Sequence, residues 1–307
     1  MLNSYRFPNF YLLHLFVYKS ALMNIYPIPT GNLKLDGGAM FGIVPKSIWN
    51  KVYPSDENNQ INLSMRCMLV VEGDRKILIN NGIGDKQSER FFSHYNLNGD
   101  DSLAKSLARY GYSHSDITDM FLTHLHFDHC GGSVKYSSDR SRFELAFPNA
   151  TYWISQPQWD WAMNANRRES ASFLRENIMP IQESGRLMLF ENEEELFPGF
   201  RVKFFNGHTV GQAIPFIQYK GTTVVFTSDL IATSAHLPLP YIMSYDTQPL
   251  ISLTEKEDFL NEVADNNYLL FFEHDIYNEC CTLSRNEKGV CIKEIYTLGT
   301  YFGSDIS

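Results

Sequence analysis

Thr123-His124-Leu125-His126-Phe127-Asp128-His129-Cys130-Gly131-Gly132 decides how the rest of this chain is read. Positions 124 to 129 carry three imidazoles and a carboxylate. Imidazole nitrogen and carboxylate oxygen are the donors that suit zinc and similar divalent metals. Packing alone does not account for the cluster, because buried polar groups side by side are costly without a shared partner. A divalent cation is such a partner. The competing reading is a His-rich surface loop, and the residues downstream weigh against it.

Four β-type apolar runs each end in one potential ligand. Phe121-Leu122-Thr123 leads into His124, and Val202 to Gly207 leads to His208. Thr222 to Ser228 leads to Asp229, and Tyr268 to Glu273 leads to His274. Strands buried along their length that shed a polar residue at the C-terminal end place it at the rim of a sheet. Four such ends can converge on one point, whereas an isolated core histidine explains only itself. Cys130 reads as a small buried side chain, with a soft ligand as the alternative. A Cys130–His129 nucleophile pair would leave His208, Asp229 and His274 without a role.

Around these runs the chain reads as alternating strands and helices. Gly31, Gly37, Gly38 and Gly42 among apolar residues over 24–45 suggest a strand, a loop and a second strand. Met68–Glu72 and Lys76–Ile79 flank Gly73-Asp74-Arg75 in a hairpin pattern. Leu103, Leu107 and Tyr110 share one helical face, stopped by Gly111. Trp153, Trp159, Trp161 and Phe173 mark a helix-prone segment ended by Pro180. That segment reads either as core packing or as a pocket wall, and Met40, Phe41 and Trp49 raise the same choice. Thr254 to Glu257 has the spacing of a capping box opening a helix, with Phe259 and Val263 on its inner face. Strands followed by a helix, twice over, suggest a duplication packed sheet to sheet.

Composition narrows the function. At 307 residues, 44% hydrophobic and 20% charged, the chain can bury a sizeable core. A net charge of −9 disfavours nucleic acid as a partner. The five cysteines form no CxxC pair, which fits reduced thiols and a cytoplasmic location. No apolar run reaches the ~18 residues of a membrane span. Residues 1–22 read as an extension ahead of a single domain over 23–307. A signal peptide there would have an apolar core interrupted by His14 and no plain cleavage site.

The ligand set resembles that of the metallo-β-lactamase superfamily. HxHxDH stands at His124, His126, Asp128 and His129, followed by Gly131-Gly132, and His208, Asp229 and His274 follow in order. The resemblance implies an α/β fold, a four-layer αββα sandwich, here with an inserted aromatic-rich helical segment. It implies two divalent metal ions, zinc by default. His124, His126 and His208 would hold one, Asp128, His129 and His274 the other, with Asp229 bridging. The branch most similar is that of N-acyl homoserine lactonases and methyl-parathion-hydrolase-like enzymes. The expected activity is therefore hydrolysis of a lactone ester, the substrate a small molecule. In it, paired cations acidify water and Asp128 orients it and hands a proton to the leaving oxygen. A phosphotriesterase-like or broad esterase activity is the alternative, and a non-catalytic metal-binding protein the third reading. A homodimer is compatible with all three.

Two positions depart from the family pattern. Asn80-Asn81-Gly82 stands where the family has Asp-Thr-Gly, which replaces a carboxylate near the metals by an amide. Ala232 stands where many lactonases carry a substrate-contacting Tyr, and His236 or Tyr241 is the expected substitute. Met40, Phe41, Trp49 and Trp159 are the expected acyl-chain contacts.

Overall fold

The computed structural model describes residues 23–287 and 289–303, so the extension expected over 1–22 lies outside the described residues. The described residues open with one long strand, β1 (Met23–Asp36), where strand, loop and strand were expected. Its pairing with β2 (Gln60–Glu72) shifts register between Pro29 and Asn32. There Gly31, at φ +109°, absorbs a bulge that the sequence pattern mimics as a loop. A short helix, Gly37–Phe41, capped by the Asp36 carboxylate, takes the place of the second strand. The hairpin to β3 (Arg75–Ile79) is as expected, with Glu72 opposite Arg75.

The first sheet is completed by β4 (Asp119–Phe121), β7 (Thr151–Ser155) and β8 (Leu187–Phe190), all parallel to β3. Between β4 and β7 lies a small hairpin of β5 (Val134–Tyr136) and β6 (Phe143–Leu145). The second sheet has seven strands, from β9 (Glu195–Phe197), β10 (Phe200–Phe205), β11 (Gln212–Tyr219) and β12 (Thr222–Phe226) to β13 (Leu269–Phe271), β14 (Cys280–Asn286) and β15 (Gly289–Tyr296). In both sheets an antiparallel hairpin, β2–β3 or β11–β12, is followed by a strand parallel to its second arm. That repetition matches the expected duplication.

Period-two alternation sorts the side chains into layers. Ile25, Val70, Ile77 and Phe121 of the first sheet meet Phe200, Val202, Val224 and Phe271 of the second. The opposite face of the first sheet, with Leu69, Leu78, Met120 and Tyr152, packs on the helices Leu103–Arg109, Gln156–Met163 and Arg175–Glu183. The opposite face of the second packs on the helix Pro249–Asn266 through Phe259, Leu260 and Val263. The layers are thus α, β, β, α, the architecture that the resemblance implies.

Two helix boundaries differ from the sequence reading. Pro180 lies inside the helix Arg175–Glu183 rather than ending it. The helix expected to start at Thr254 starts at Pro249, whose missing N–H costs nothing at a first-turn position. The Thr254 hydroxyl, set one turn in, donates instead to the Leu250 carbonyl. Among the described residues no helix is long and apolar enough to cross a membrane.

Candidate metal centre

The motif gains its shape from a tight turn. After β4 the chain passes His124 and His126 and enters the short helix Phe127–Cys130, so that Asp128 and His129 follow on one side. Glycines let this helix sit directly on the turn after β3. A Cβ on Gly131 would lie 2.1 Å from the Ile83 carbonyl oxygen, and one on Gly132 would lie 2.4 Å from that of Asn81. Gly84, at φ +71°, faces Gly131 from the other side.

Strand ends bring in the other ligands. His208 follows β10, Asp229 follows β12 and His274 follows β13. Ligand atoms of His124, His126, His208 and Asp229 lie within 4.8 Å of one another, and so do those of Asp128, His129 and His274. Asp229 stands between the groups: Oδ2 is 3.1 Å from His208 Nε2 and 3.4 Å from His129 Nε2, and Oδ1 is 3.0 Å from His274 Nε2.

Each imidazole is held by its outer nitrogen, leaving the other directed inward. His124 Nδ1 meets the Thr123 hydroxyl at 3.1 Å and His126 Nε2 meets Glu169 at 2.9 Å. His129 Nδ1 meets Glu273 at 3.0 Å, His208 Nδ1 meets Asp246 at 2.9 Å, and His274 Nδ1 meets the Ser64 carbonyl at 2.8 Å. Such outer contacts fix tautomer and ring orientation around a metal. The inward nitrogens crowd together: His126 Nδ1 and His208 Nε2 are 3.1 Å apart, His129 Nε2 and His274 Nε2 3.3 Å. Fully buried His124 Nε2 has no hydrogen-bond partner. Facing lone pairs at such distances require a proton or a cation between them.

Electrostatics point the same way. Burial disfavours charge on every ring, and on His124 it prevails, helped by His129 and His126, holding that imidazole well below its usual range. On His208 burial is outweighed by Asp229 and Asp246, which hold the ring at about 10. On His274 burial is outweighed chiefly by Asp229, which holds it at about 9. Asp229 is kept well below the carboxylate range, since His129, His274 and His208 overcome its burial. Five carboxylates converge here, those of Asp128, Asp229, Glu169, Asp246 and Glu273, and they call for positive charge at the centre. Two divalent cations fit this donor set.

The sequence profile of the metallo-beta-lactamase superfamily matches residues 66–274. The chain belongs to that superfamily. An N-acyl homoserine lactonase of Bacillus thuringiensis subsp. kurstaki, AiiA, is 24% identical over 269 residues, spanning 83% of this chain and 94% of that one. A lactonase of Bacillus cereus is 25% identical over 268 residues, with the same coverage of 83% and 94%. Among solved structures, a probable metal-dependent hydrolase from Staphylococcus aureus superposes with a TM-score of 0.82 at 30% identity, covering 90% of this chain and 97% of that one. AidC, a dizinc quorum-quenching lactonase in complex with a product, superposes with a TM-score of 0.73 at 22% identity, covering 88% and 93%.

This superfamily member, a metal-dependent hydrolase, opens its centre into a cavity of about 410 Å³. Leu35, Met40, Leu63, Phe127 and Met243 give it apolar walls, and Tyr95, Arg168 and Tyr245 also line it. The inserted segment takes part through Arg168, Glu169, Ala171 and Ser172, not through its tryptophans. The Arg168 guanidinium donates to the Ser244 carbonyl and so clasps one wall to the other.

Of the four expected acyl-chain contacts, Met40 alone lines this cavity. Phe41 and Trp49 stack on each other, centroids 5.0 Å apart, inside a buried cluster. Trp159 packs beneath the first sheet. Aromatics of that size serve the core first, because burial of the whole ring is worth more than exposure of one face. His236 also sits away from the cavity: buried, stacked on Phe41, its Nε2 donating to the Met40 carbonyl and its Nδ1 bonded to Thr233. Tyr241 borders a surface groove of about 860 Å³ on one side and, on the other, shares with His236 and Asp229 a narrow cleft of about 10 Å³, apart from the main cavity. Cys130 is buried, and burial pushes its thiol up to about 12, so it is no nucleophile.

Sequence reasoning missed Glu169, Asp246 and Glu273. Glu273 had a signal, a charge interrupting an apolar run just before His274. Glu169 follows Arg167-Arg168 and reads as part of a solvated charged stretch.

Proposed function

We propose that this chain is a dinuclear hydrolase that opens the ester bond of lactones, with N-acyl homoserine lactones as substrate class and zinc as metal. The observation that carries the reading is the meeting of seven candidate ligand side chains beneath a cavity with apolar walls, whose lining includes five of them, His126, Asp128, His208, Asp229 and His274. A polar scissile group over the ligands and an acyl chain along Leu35, Met40, Leu63 and Met243 would fill it. The curated relatives, all N-acyl homoserine lactonases, support the same substrate class. Cations bound there would acidify water toward neutrality and polarise the scissile carbonyl. The chain's own groups do the rest. Asp128, whose side chain keeps 12% accessibility at the cavity floor, accepts a proton and returns it to the leaving oxygen. Tyr95 and Tyr245, on the wall, take the substrate-orienting part for which His236 and Tyr241 were expected.

One observation favours a second reading, a broader esterase or phosphotriesterase. Ala232 is buried and offers no hydroxyl beside Asp229, so the site is less tailored to a lactone carbonyl. A pH-stat screen with acyl homoserine lactones, aryl esters and a phosphotriester decides between them. Lactone opening that vanishes on chelation and returns with zinc is the expected result. Turnover of esters or phosphotriesters without lactone opening would establish the second reading. Equal lactone turnover by metal-stripped protein would overturn the metal-dependent mechanism.

A further inference from the structure

We propose that Glu273 is the positioning residue for His129, and that it supplies the carboxylate that Asn80 lacks. The Glu273 side chain is fully buried. A buried carboxylate must find donors close by. Its partners are the Asn80 amide, at 3.0 Å from Oε1 and 2.9 Å from Oε2, and His129 Nδ1, at 3.0 Å from Oε2. Asn80 cannot accept from His129 itself. Its Oδ1 already receives the Thr123 N–H at 3.0 Å, which locks the amide with Nδ2 toward Glu273; the Thr123 hydroxyl lies within reach of both amide atoms, 3.0 Å from Nδ2 and 3.2 Å from Oδ1. Nδ2 therefore stands 3.1 Å from His129 Nδ1, donor beside donor, and the carboxylate between them satisfies both. With Nδ1–H donated to Glu273, the lone pair of His129 Nε2 faces inward, 3.3 Å from His274 Nε2 and 3.6 Å from Asp128 Oδ2.

The backbone makes Glu273 rigid enough for this part. Its carbonyl receives the Arg66 N–H at 3.0 Å and the Ser64 hydroxyl at 2.5 Å, which pins the end of β13 against β2. Glu273 also occupies the position in the second half that Thr123 occupies in the first: each is the second residue after its strand and directly precedes a ligand histidine. Thr123 serves His124, its neighbour, whereas Glu273 reaches across to the other half of the molecule.

The inference rests on the two-cation reading of the site and not on the lactone substrate. Its test is metal binding, followed by chelator competition and elemental analysis of wild type, Glu273→Gln, and the swap Asn80→Asp with Glu273→Gln. The swap returns a carboxylate to His129 from the other side. Glu273→Gln is expected to weaken the second zinc by roughly 10- to 100-fold, leaving the first unchanged. The swap is expected to recover most of that loss, which a merely space-filling role for Glu273 would not allow. Wild-type affinity at both sites in Glu273→Gln, or equal losses in the single variant and the swap, would overturn the proposal. A wild-type protein that binds no second cation would overturn the site reading together with it.

Discussion

Asp229 contacts both ligand groups, so its removal should affect both cations at once. In Asp229→Ala, metal content by elemental analysis and hydrolytic activity should fall together. Activity retained with the metal lost would contradict the site as described. His236 behaves differently. Burial holds its imidazole down at about 4, against an ordinary value near 6.5, so the native state keeps it neutral. Between those values the unfolded chain binds a proton that the native state excludes. The stability contribution is therefore complete above about pH 6.5 and is lost as pH falls toward 4, by about 3 kcal/mol in all. In His236→Gln, urea midpoints at pH 7 and pH 4.5 should differ less than in wild type. An unchanged acid dependence would mean that His236 does not titrate in this window. At this scale the seven candidate ligands, which the structure brings together, could be picked out in the sequence, because a donor-rich motif and strand-terminal His or Asp residues are local patterns. His236 and Tyr241 do not line the main cavity, because a residue's direction from a loop is set by packing that no local pattern records.

Two elements hold the centre in shape: the turn after β3 and the short helix Phe127–Cys130. They approach through glycine, and the Gly131 position admits no side chain because the obstructing atoms are the Ile83 backbone. Gly131→Ala should cost about 1–3 kcal/mol or more of stability and weaken metal retention, since His129 rides on the displaced helix. Thermal denaturation beside metal analysis would check this, and a variant equal to wild type in both would refute the close-approach argument. The strands could be located from their apolar runs, but β1 was split in error. A bulge at a glycine and a loop at a glycine look alike in sequence, and only cross-strand pairing with β2 separates them. The helix Pro249–Asn266 was foreshortened for a similar reason: capping-box spacing is a common local pattern, and it recurs here inside a helix that already starts at Pro249.

The two halves of the molecule meet at the metal centre. His124, His126, Asp128 and His129 belong to the first sheet's half, and His208, Asp229 and His274 to the second. Cations bound there would link the two halves of the sandwich as well as serve catalysis. Zinc should therefore raise the melting temperature, by an amount equivalent to about 2.7 kcal/mol per site at a hundredfold excess over Kd. Calorimetry of stripped and reloaded protein measures it, and an unchanged transition with zinc bound would show that the halves are not coupled through the site.

The sequence by itself determined which side chains could be metal donors and, through the family resemblance those donors carry, which layer architecture to expect. The donors stand out because a dense motif and strand-terminal His or Asp residues are short-range regularities of the chain. Only the tertiary structure decided what surrounds them: that Glu169, Asp246 and Glu273 orient the imidazoles, that Phe41, Trp49 and Trp159 serve the core, and that Tyr95 and Tyr245 face the cavity. Those assignments depend on contacts between residues far apart in the chain. Burial and the satisfaction of polar groups choose among many such contacts, and the choice exists only once the two sheets have packed.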